Sequence, residues 1–294
     1  LTVEPGRIYG FLGPNGAGKS TTMNIITGYL AATGGEVKIN GFDVLKQPEE
    51  AKKCVGYLPE LPPLYMDMTV KEYLDFVAEL KKLDKSLRAG YVKEAMKITR
   101  TEEVSGRLIR NLSKGYRQRV GFAQAVLGYP EILILDEPTV GLDPKQIIEI
   151  RDLIRELGKK HTIILSSHIL SEISAVCDHV FIISHGKMVA SDSTENLLER
   201  MTGAQEIELL LKAEENEAET AIREIAQVER CEKTEAKEDG TVGLLVTAKK
   251  DADVREAIYH TCVEHHMPIL EMKAASKSLE DVFLELTAQE GGTK

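Results

Sequence analysis

The sequence lacks the features that mark a secreted, membrane-spanning or nucleic-acid-binding protein. Its four cysteines are scattered without a C-x-x-C pair, a pattern typical of reduced thiols in the cytosol. No apolar run approaches the ~18 residues that cross a bilayer, and we expect no signal peptide before the first motif. The net charge of -10 at pH 7 disfavours a large face of clustered Lys and Arg for nucleic acid. We therefore expect a soluble, intracellular chain.

The length of 294 residues allows one large domain or two smaller ones. An apolar content of 43% is sufficient to form hydrophobic cores. The chain begins at Leu1 rather than Met, and its first motif begins soon after, at Gly13. We therefore expect a further segment upstream.

The strongest signal is a glycine-rich loop near the start, which matches G-x-x-x-x-G-K-[ST] between a predicted strand, Arg7–Leu12, and a predicted helix, Ser20–Leu30. Its glycines let successive N–H groups turn inward to phosphate oxygens, at the positive end of the helix. Lys19 is expected to reach the terminal phosphates, and the Ser20 hydroxyl to ligate magnesium. The alternative, a glycine-rich turn that binds nothing, is disfavoured by the strand–loop–helix context. The loop comprises Gly13, Pro14, Asn15, Gly16, Ala17, Gly18, Lys19, Ser20 and Thr21.

A helical insertion is predicted over about residues 64–112. The Pro-rich stretch Leu61–Tyr65 cannot be helical and is interpreted as a loop or hinge. A helical pattern begins at Thr69, which forms a capping box with Glu72, and a second helix is predicted over Arg88–Ile98. The apolar stripe of the first helix is interpreted as core.

Two carboxylates and a histidine follow two neighbouring predicted strands. The all-apolar strand Ile132–Leu135 suits the centre of a parallel sheet and ends in Asp136 and Glu137. Ligand sites of open α/β sheets lie at this carboxyl edge. Asp136 is placed to hold magnesium and Glu137 to polarise an attacking water. His168 follows the end of the next predicted strand, Thr162–Ser166.

Each of these side chains alone has a simpler explanation. An Asp-Glu pair at a strand end is often a solvated edge, and a single histidine is usually structural. Their spacing behind a complete phosphate loop favours the functional interpretation of the two carboxylates and His168. His161, His179 and His185 have no such partners and are interpreted as structural.

Five motifs occur in one order: the phosphate loop Gly13–Thr21, a hinge loop at Glu60, the loop Leu112–Gln118, the Asp136-Glu137 strand end and His168. Together they resemble the nucleotide-binding subunit of an ABC transporter. The loop Leu112–Gln118, called the signature loop, is the diagnostic motif, because many ATPases share the acidic and glycine-rich ones. The resemblance implies an α/β fold, a P-loop ABC cassette with a helical insertion, over residues 1–203.

The resemblance also implies a role for each matching residue. ATP would lie on Gly13–Thr21, with magnesium between Ser20 and Asp136. Glu137 would be the general base, and His168 would bond the γ-phosphate. Two cassettes, either two copies or a related pair, would close head-to-tail over two ATP molecules. The residues that face the opposite subunit would be Ser113, Gly115 and Asp143.

Two of the motifs depart from the family pattern. The signature loop has Leu-Ser-Lys-Gly-Tyr where the family commonly has Leu-Ser-Gly-Gly-Gln, so it keeps Ser113 and Gly115 and adds the cation of Lys114. Glu60 stands where the family usually has Gln, and its carboxylate is a candidate magnesium ligand. We hypothesise that Glu60 couples metal occupancy to the position of the hinge loop. Tyr9 lies too near the phosphate loop to stand for the family's adenine-stacking aromatic.

The tail, residues 204–294, follows a candidate linker at Thr202–Ala204 and is predicted as a small α+β accessory domain. Its order of strand, helix, two strands, helix and strand suggests a ferredoxin-like fold. An amphipathic helix, Leu279–Thr287, closes the chain. The ending Ser278–Phe283 resembles cassettes of bacterial multidrug, antibiotic-resistance, sodium-export and gliding-associated systems.

Four side chains of one predicted tail helix could begin a metal site. The lack of further ligands at metal spacing favours a simpler interpretation, an amphipathic helix that packs on the small sheet. The four are His260, Cys262, His265 and His266.

The sequence thus predicts an ATP-hydrolysing subunit that powers a bacterial ABC exporter from the cytoplasmic face of the membrane. It would depend on an integral membrane permease, and no nucleic-acid partner is expected. The alternative is a soluble ABC ATPase that acts on DNA or the ribosome. Such proteins carry long coiled coils or two cassettes, and this sequence has neither. The signature loop also disfavours a P-loop kinase or GTPase, which has no reason to carry it.

Overall fold

The computed structural model describes residues 1–194, 196, 206–234, 240–249 and 252–275. The chain divides into two units, residues 1–194 and 195–294. Most of the predicted helix Asn196–Met201, the linker Thr202–Ala204 with the predicted boundary, and the helix Leu279–Thr287 lie outside the described residues.

The strands of the first unit are β1 (Ile8–Leu12), β2 (Lys38–Ile39), β3 (Phe42–Asp43), β4 (Val55–Leu58), β5 (Ile132–Asp136), β6 (Thr162–Ser167), β7 (His179–Ser184) and β8 (Lys187–Ser193). Six of them form one sheet in the order β4-β5-β6-β1-β7-β8. All its pairs are parallel except β7–β8. β1 and β6 are buried along their whole length, because the core covers both faces of a parallel sheet.

The edge strand β8 is absent from the sequence-based prediction. The chain reverses at His185 and Gly186, which both have positive φ angles, 48° and 77°. Two consecutive positive φ values are typical of a tight hairpin turn. Every described side chain of β8 is exposed or half-buried, so no buried apolar run marks it in the sequence.

The helices of the first unit are α1 (Lys19–Ile26), α2 (Pro48–Lys53), α3 (Val70–Leu80), α4 (Arg88–Ile98), α5 (Lys114–Val126), α6 (Pro144–Gly158) and α7 (Leu170–Val176). α4 has the predicted bounds, and the predicted capping box opens α3. There Thr69 Oγ1 accepts from the N–H of Glu72, whose carboxylate accepts from the N–H of Thr69. α1 ends four residues before the predicted Leu30, since Gly28 adopts a φ of +71°.

The helical insertion packs α3 and α4 on α5, and α5 on the sheet. The contact of α5 with β4 is so close that a Cβ at Gly56 would lie 2.1 Å from the carbonyl oxygen of Ala125. Lys81, at the end of α3, donates to the carbonyl oxygens of Gln124 and Leu127 at 2.9 and 2.8 Å. These carbonyls at the end of α5 lack helical partners, so the ammonium caps that helix.

The second unit contains β9 (Glu206–Leu211), α8 (Glu215–Arg223), β10 (Val228–Thr234), β11 (Val242–Ala248), α9 (Arg255–Glu264) and β12 (Ile269–Ala275). Its sheet has the order β10-β11-β9-β12, and all pairs are antiparallel. Leu209 and Val246 of the sheet form one core with Ile222 of α8 and Ile258 of α9. This order of elements is the predicted ferredoxin-like one.

None of the described helices combines the length and the apolar character needed to cross a membrane.

Candidate active site

A pocket of about 360 Å³ lies where β1, β5 and β6 end. Parallel strands bring their carboxyl ends to one edge of the sheet, so residues that follow different strands meet there. The pocket is lined by Asn15, Gly16, Gly18, Lys19, Ser20, Thr21, Glu60, Glu137, Val140 and His168. Nine of these ten are predicted site residues, whereas Val140 is not.

The phosphate loop has the curled backbone that its glycines permit. Gly16 and Gly18 have φ angles of +80° and +104°, in the region that side chains rarely adopt. The N–H of Ala17 donates to the carbonyl of Pro14 at 3.1 Å and closes the turn. A Cβ at Gly13 would lie 2.5 Å from the carbonyl oxygen of Ile183, so only glycine fits against β7.

Lys19 places a buried positive charge inside the loop. Its Nζ donates to the carbonyl oxygen of Gly13 at 2.9 Å and lies 3.3 Å from Glu137 Oε1. The Lys19 side chain is only 6% exposed. Its charge, the inward-curling loop and the N-terminus of α1 suit the phosphates of a nucleotide.

The hydroxyl of Ser20 lies beside a buried carboxylate. Ser20 Oγ is 3.5 Å from Asp136 Oδ1, across the end of β5. Glu60 lines the same pocket as Ser20, whereas Asp136 lies buried behind it. A set of hydroxyl and carboxylate oxygens is the chemistry that Mg²⁺ prefers, so these residues fit the ion.

Ser166 holds the end of β5 in place and was missed by the sequence analysis. Its hydroxyl donates to Asp136 Oδ1 and accepts from the backbone N–H of Glu137 at 2.9 Å. Both contacts follow from the parallel register of β5 and β6, in which Asp136 pairs with Ser166. One buried hydroxyl therefore orients the Asp136 carboxylate and holds the backbone at Glu137.

Glu137 joins Lys19 to His168 across the pocket. Its Oε2 lies 2.9 Å from His168 Nδ1, while Oε1 faces the Lys19 ammonium. Because an ionised carboxylate only accepts hydrogen bonds, Nδ1 carries the proton in this contact. Glu137 has a φ of +47°, which is uncommon for a residue with a side chain and costs backbone energy.

The negative charge at the end of β5 acts on a tyrosine of the neighbouring strand. Burial and the charge of Asp136 together raise the pKa of Tyr57 to about 12. The Tyr57 hydroxyl lies 3.5 Å from Asn24 Oδ1. Tyr57 therefore stays neutral beside the site over the whole physiological range.

The signature loop lies outside this pocket. Ser113 is exposed and caps α5 by accepting from the N–H of Tyr116 at 3.4 Å. Gly115 is buried under Gln146, where a Cβ would meet the Gln146 amide at 2.7 Å. Asp143 is exposed and caps α6 by accepting from the N–H of Gln146 at 2.9 Å. The fold thus gathers the phosphate loop, Glu60, the two carboxylates and His168, but not these three residues.

Comparison with known proteins places the chain in a family. Residues 1–140 match the family model described as ABC transporter. The bacitracin transport ATP-binding protein BcrA of Bacillus licheniformis is 34% identical over all of this chain and 92% of its own length. The chain belongs to the ABC transporter ATP-binding proteins. It is therefore an ATP-binding cassette with ATP hydrolase activity.

Two further similarities agree with this assignment. The linearmycin resistance ATP-binding protein LnrL of Bacillus subtilis (strain 168) is 30% identical over 98% of this chain and 92% of its own. The solved structure of cbiO1 from Clostridium perfringens, part of the ABC transporter complex cbiONQ, is 27% identical. It aligns with a TM-score of 0.61 over 69% of this chain and 85% of the other.

A second hydrogen-bonded group connects the turns that carry Glu137 and His168. The carboxylate Oε2 of Glu172, on α7, accepts from Thr139 Oγ1 at 2.6 Å and from Ser167 Oγ at 3.1 Å. All three side chains are buried. Sequence spacing gives no signal for this group, because Thr139 and Glu172 are 33 residues apart and belong to different elements.

Of the four candidate metal ligands in and just after α9, Cys262 is buried, whereas His260, His265 and His266 are exposed. Cys262 is buried in the core of that unit, and burial raises the pKa of its thiol to about 11. No group of three or more metal-ligating side chains occurs among the described residues. Packing of α9 on its sheet, the favoured interpretation, matches the position of Cys262.

Proposed function

We propose that this cassette powers the export of a substrate through a separate bacterial membrane permease, by hydrolysing ATP in a head-to-tail dimer. The observation that carries the proposal is the chain of contacts from Lys19 through Glu137 to His168, beside Ser20 and Asp136. It unites a phosphate-binding cation, a base and a partner that orients the base. BcrA and LnrL are by name a transport protein and a resistance protein, which supports the direction of export.

In this proposal the phosphate loop binds ATP, and the Lys19 ammonium turns to the terminal phosphates. The negative phosphates compete with Glu137 for Lys19, which leaves the Glu137 carboxylate to accept a proton from water. The water oxygen forms a bond to the γ-phosphorus while the bond to the bridging oxygen of ADP breaks. The products are ADP and inorganic phosphate. His168 donates to Glu137 at 2.9 Å and holds the Glu137 carboxylate in position to accept the proton of the attacking water.

Ser20 and Asp136 would hold magnesium, with Glu60 as a further ligand. The ion would supply charge neutralisation at the phosphate oxygens. Ser166 supports this function by keeping Asp136 in one orientation. Because Glu60 belongs to the hinge loop, its contact with the ion is the proposed link between nucleotide binding and the movement of that loop.

Exposed residues outside the pocket support a dimer. Ser113, Lys114 and Asp143 are exposed and lie outside the pocket of their own chain. Ser113 and Lys114 begin α5, whose positive end suits a phosphate. In a head-to-tail dimer these residues would contact the nucleotide or the loops of the second cassette, either another copy or a related one.

The permease would dock on an apolar groove beside the hinge loop. The groove has a volume of about 640 Å³ and is lined in part by Tyr29, Tyr57, Leu61 and Pro63. Tyr29 is 86% and Leu61 is 80% exposed, an unusual exposure for large side chains of this type. The groove lies between α1, the hinge loop and Lys81 of the helical insertion. A permease segment bound there would be displaced when any of these three moves. The cassette would then work at the cytoplasmic face of the membrane.

The test compares the wild-type cassette with Glu137→Gln, which keeps the size of the side chain and removes the base. We expect ATP hydrolysis to require magnesium and to fall by at least about a hundredfold in Glu137→Gln. With ATP, the variant should elute as a dimer in size-exclusion chromatography with light scattering. Inside-out membrane vesicles from cells that produce the cassette should stimulate the wild-type protein, whereas Leu61→Asp should lose the stimulation and keep the basal rate.

Activity that does not change in Glu137→Gln would contradict the assignment of the base. Stimulation by DNA or ribosomes instead of membrane vesicles would contradict the transporter function and favour the soluble ABC ATPases.

A further inference from the structure

We propose that Glu172 is a positioning residue for ATP hydrolysis. Its buried carboxylate ties the turn that carries Glu137 to the turn that carries His168. The inference rests on the proposed roles of Glu137 and His168, and it concerns a residue that does not line the pocket.

The carboxylate is anchored by two hydroxyl groups from two different turns. Thr139 Oγ1 and Ser167 Oγ both donate to Glu172 Oε2, at 2.6 and 3.1 Å. The Ser167 hydroxyl also accepts from the backbone N–H of Ile169 at 3.0 Å. These bonds fix the backbone on both sides of residue 168.

The two donors, Thr139 and Ser167, lie beside Glu137 and His168 in the sequence. Thr139 lies two residues after Glu137, and Ser167 lies directly before His168. Glu137 and His168 meet on the pocket side, at 2.9 Å, while Glu172 joins the same two turns underneath. Two separate ties therefore set the distance between the base and its histidine partner. An error of about 1 Å in such a distance can cost a hundredfold in rate.

Stability alone does not explain a carboxylate at this place. Glu172 is only 5% exposed, and no Lys, Arg or His within the described part of the chain forms an ion pair with it. Burial of a carboxylate without a cation is unfavourable, and an apolar side chain in a buried position is often at least as stable. Glu172 is therefore better explained by the geometry that it imposes on the two turns.

The experiment measures steady-state ATP hydrolysis by the full chain with Glu172→Ala, Glu172→Gln, Thr139→Val and Ser167→Ala. We expect kcat to fall by about tenfold or more in Glu172→Ala, with the KM for ATP unchanged within about twofold. Glu172→Gln should recover part of the rate, because an amide oxygen can still accept from both hydroxyls, although more weakly than a charged carboxylate. Thr139→Val should lower kcat several-fold in the wild type and have little further effect in Glu172→Ala, since both remove the same tie.

Thr101→Val is the matched control. Thr101 is also a buried threonine, whose hydroxyl lies 3.2 Å from Thr99 Oγ1 in the helical insertion, away from the pocket. It should lower the melting temperature and leave kcat unchanged. If Thr101→Val and Thr139→Val lower kcat equally at equal loss of stability, the role of Glu172 is structural and the proposal is wrong. An unchanged kcat in Glu172→Ala would also overturn it.

Glu137→Gln and His168→Ala are measured in parallel. If these two variants keep the wild-type rate, the proposed function of the site fails. If they lose activity and the Glu172 variants do not, only the positioning role fails.

Discussion

Replacing Ser166 with alanine removes one buried hydroxyl that bonds two residues of the proposed active site. The hydroxyl donates to Asp136 Oδ1 and accepts from the N–H of Glu137 at 2.9 Å. Ser166 is fully buried, so water does not replace the lost group easily. The truncation leaves the N–H of Glu137 without its acceptor and removes a donor from a charged carboxylate.

The size of the effect follows from these two losses. A buried N–H without a partner costs about 1–3 kcal/mol, and a hydrogen bond to a charged group contributes about 1.5–3 kcal/mol. Because the second loss is partly offset by relaxation of Asp136, we expect the free energy of unfolding to fall by about 2–4 kcal/mol. The freed Asp136 carboxylate should also weaken magnesium binding by about 10–100-fold, the range typical of residues that orient metal ligands.

Urea unfolding measures the first effect, and the magnesium dependence of ATP hydrolysis measures the second. Thr162→Val is the control, because it changes a hydroxyl at the other end of the same strand. The Thr162 hydroxyl accepts from the N–H of Gly6 at 2.9 Å, away from the pocket. The control should lose stability and keep its magnesium dependence. A Ser166→Ala protein with the magnesium dependence of the wild type would refute the reasoning.

Three further predictions follow from other positions. Since the folded pKa of Tyr57, about 12, is above its ordinary value of 10, its contribution to stability is lost as the pH rises from 10 through 12. Tyr57→Phe should flatten this alkaline decline in chemical unfolding, whereas Tyr29→Phe, at an exposed position, should not. Gly141→Ala should lower stability by about 1–2 kcal/mol in thermal unfolding, because residue 141 has a φ of +70°; Gly34→Ala, with an ordinary φ and open space, is the control. Glu60→Gln should raise the magnesium concentration that gives half-maximal ATP hydrolysis, and an unchanged value would contradict the hypothesis for Glu60.

Much of the fold was predictable because local signals agreed with the final packing. The bounds of α4 and the start of α3 follow from helical spacing and from the capping box at Thr69. The family assignment was predictable from motif order alone. The edge strand β8 was missed since its exposed and half-buried side chains make no apolar run. The length of α1 was overestimated although the sequence held the signal, because Gly28 is the residue type that most often adopts the left-handed conformation at a helix end.

The site was only partly predictable, because sequence spacing shows which residues follow a strand but not which neighbours they touch. The phosphate loop, Glu60, Glu137 and His168 share one pocket, as their positions at strand and loop ends suggest. The partners Ser166 and Glu172 depend on the pairing of β5 with β6 and on the packing of α7. Neither contact leaves a periodic pattern in the sequence.

The pairing of β5 with β6 explains how two adjacent serines come to serve different parts of one site. Asp136 lies opposite Ser166 in the parallel register, so the Ser166 hydroxyl reaches the carboxylate at the end of β5. Successive side chains of a strand point to opposite faces of the sheet, so Ser167 reaches away from Asp136, to Glu172 on α7. A shift of one residue in this register would exchange the two faces, and Ser167 would then lie where Asp136 needs its donor. The same register therefore sets both the proposed metal site and the tie beneath His168, so the two are expected to fail together when the end of β6 is disturbed.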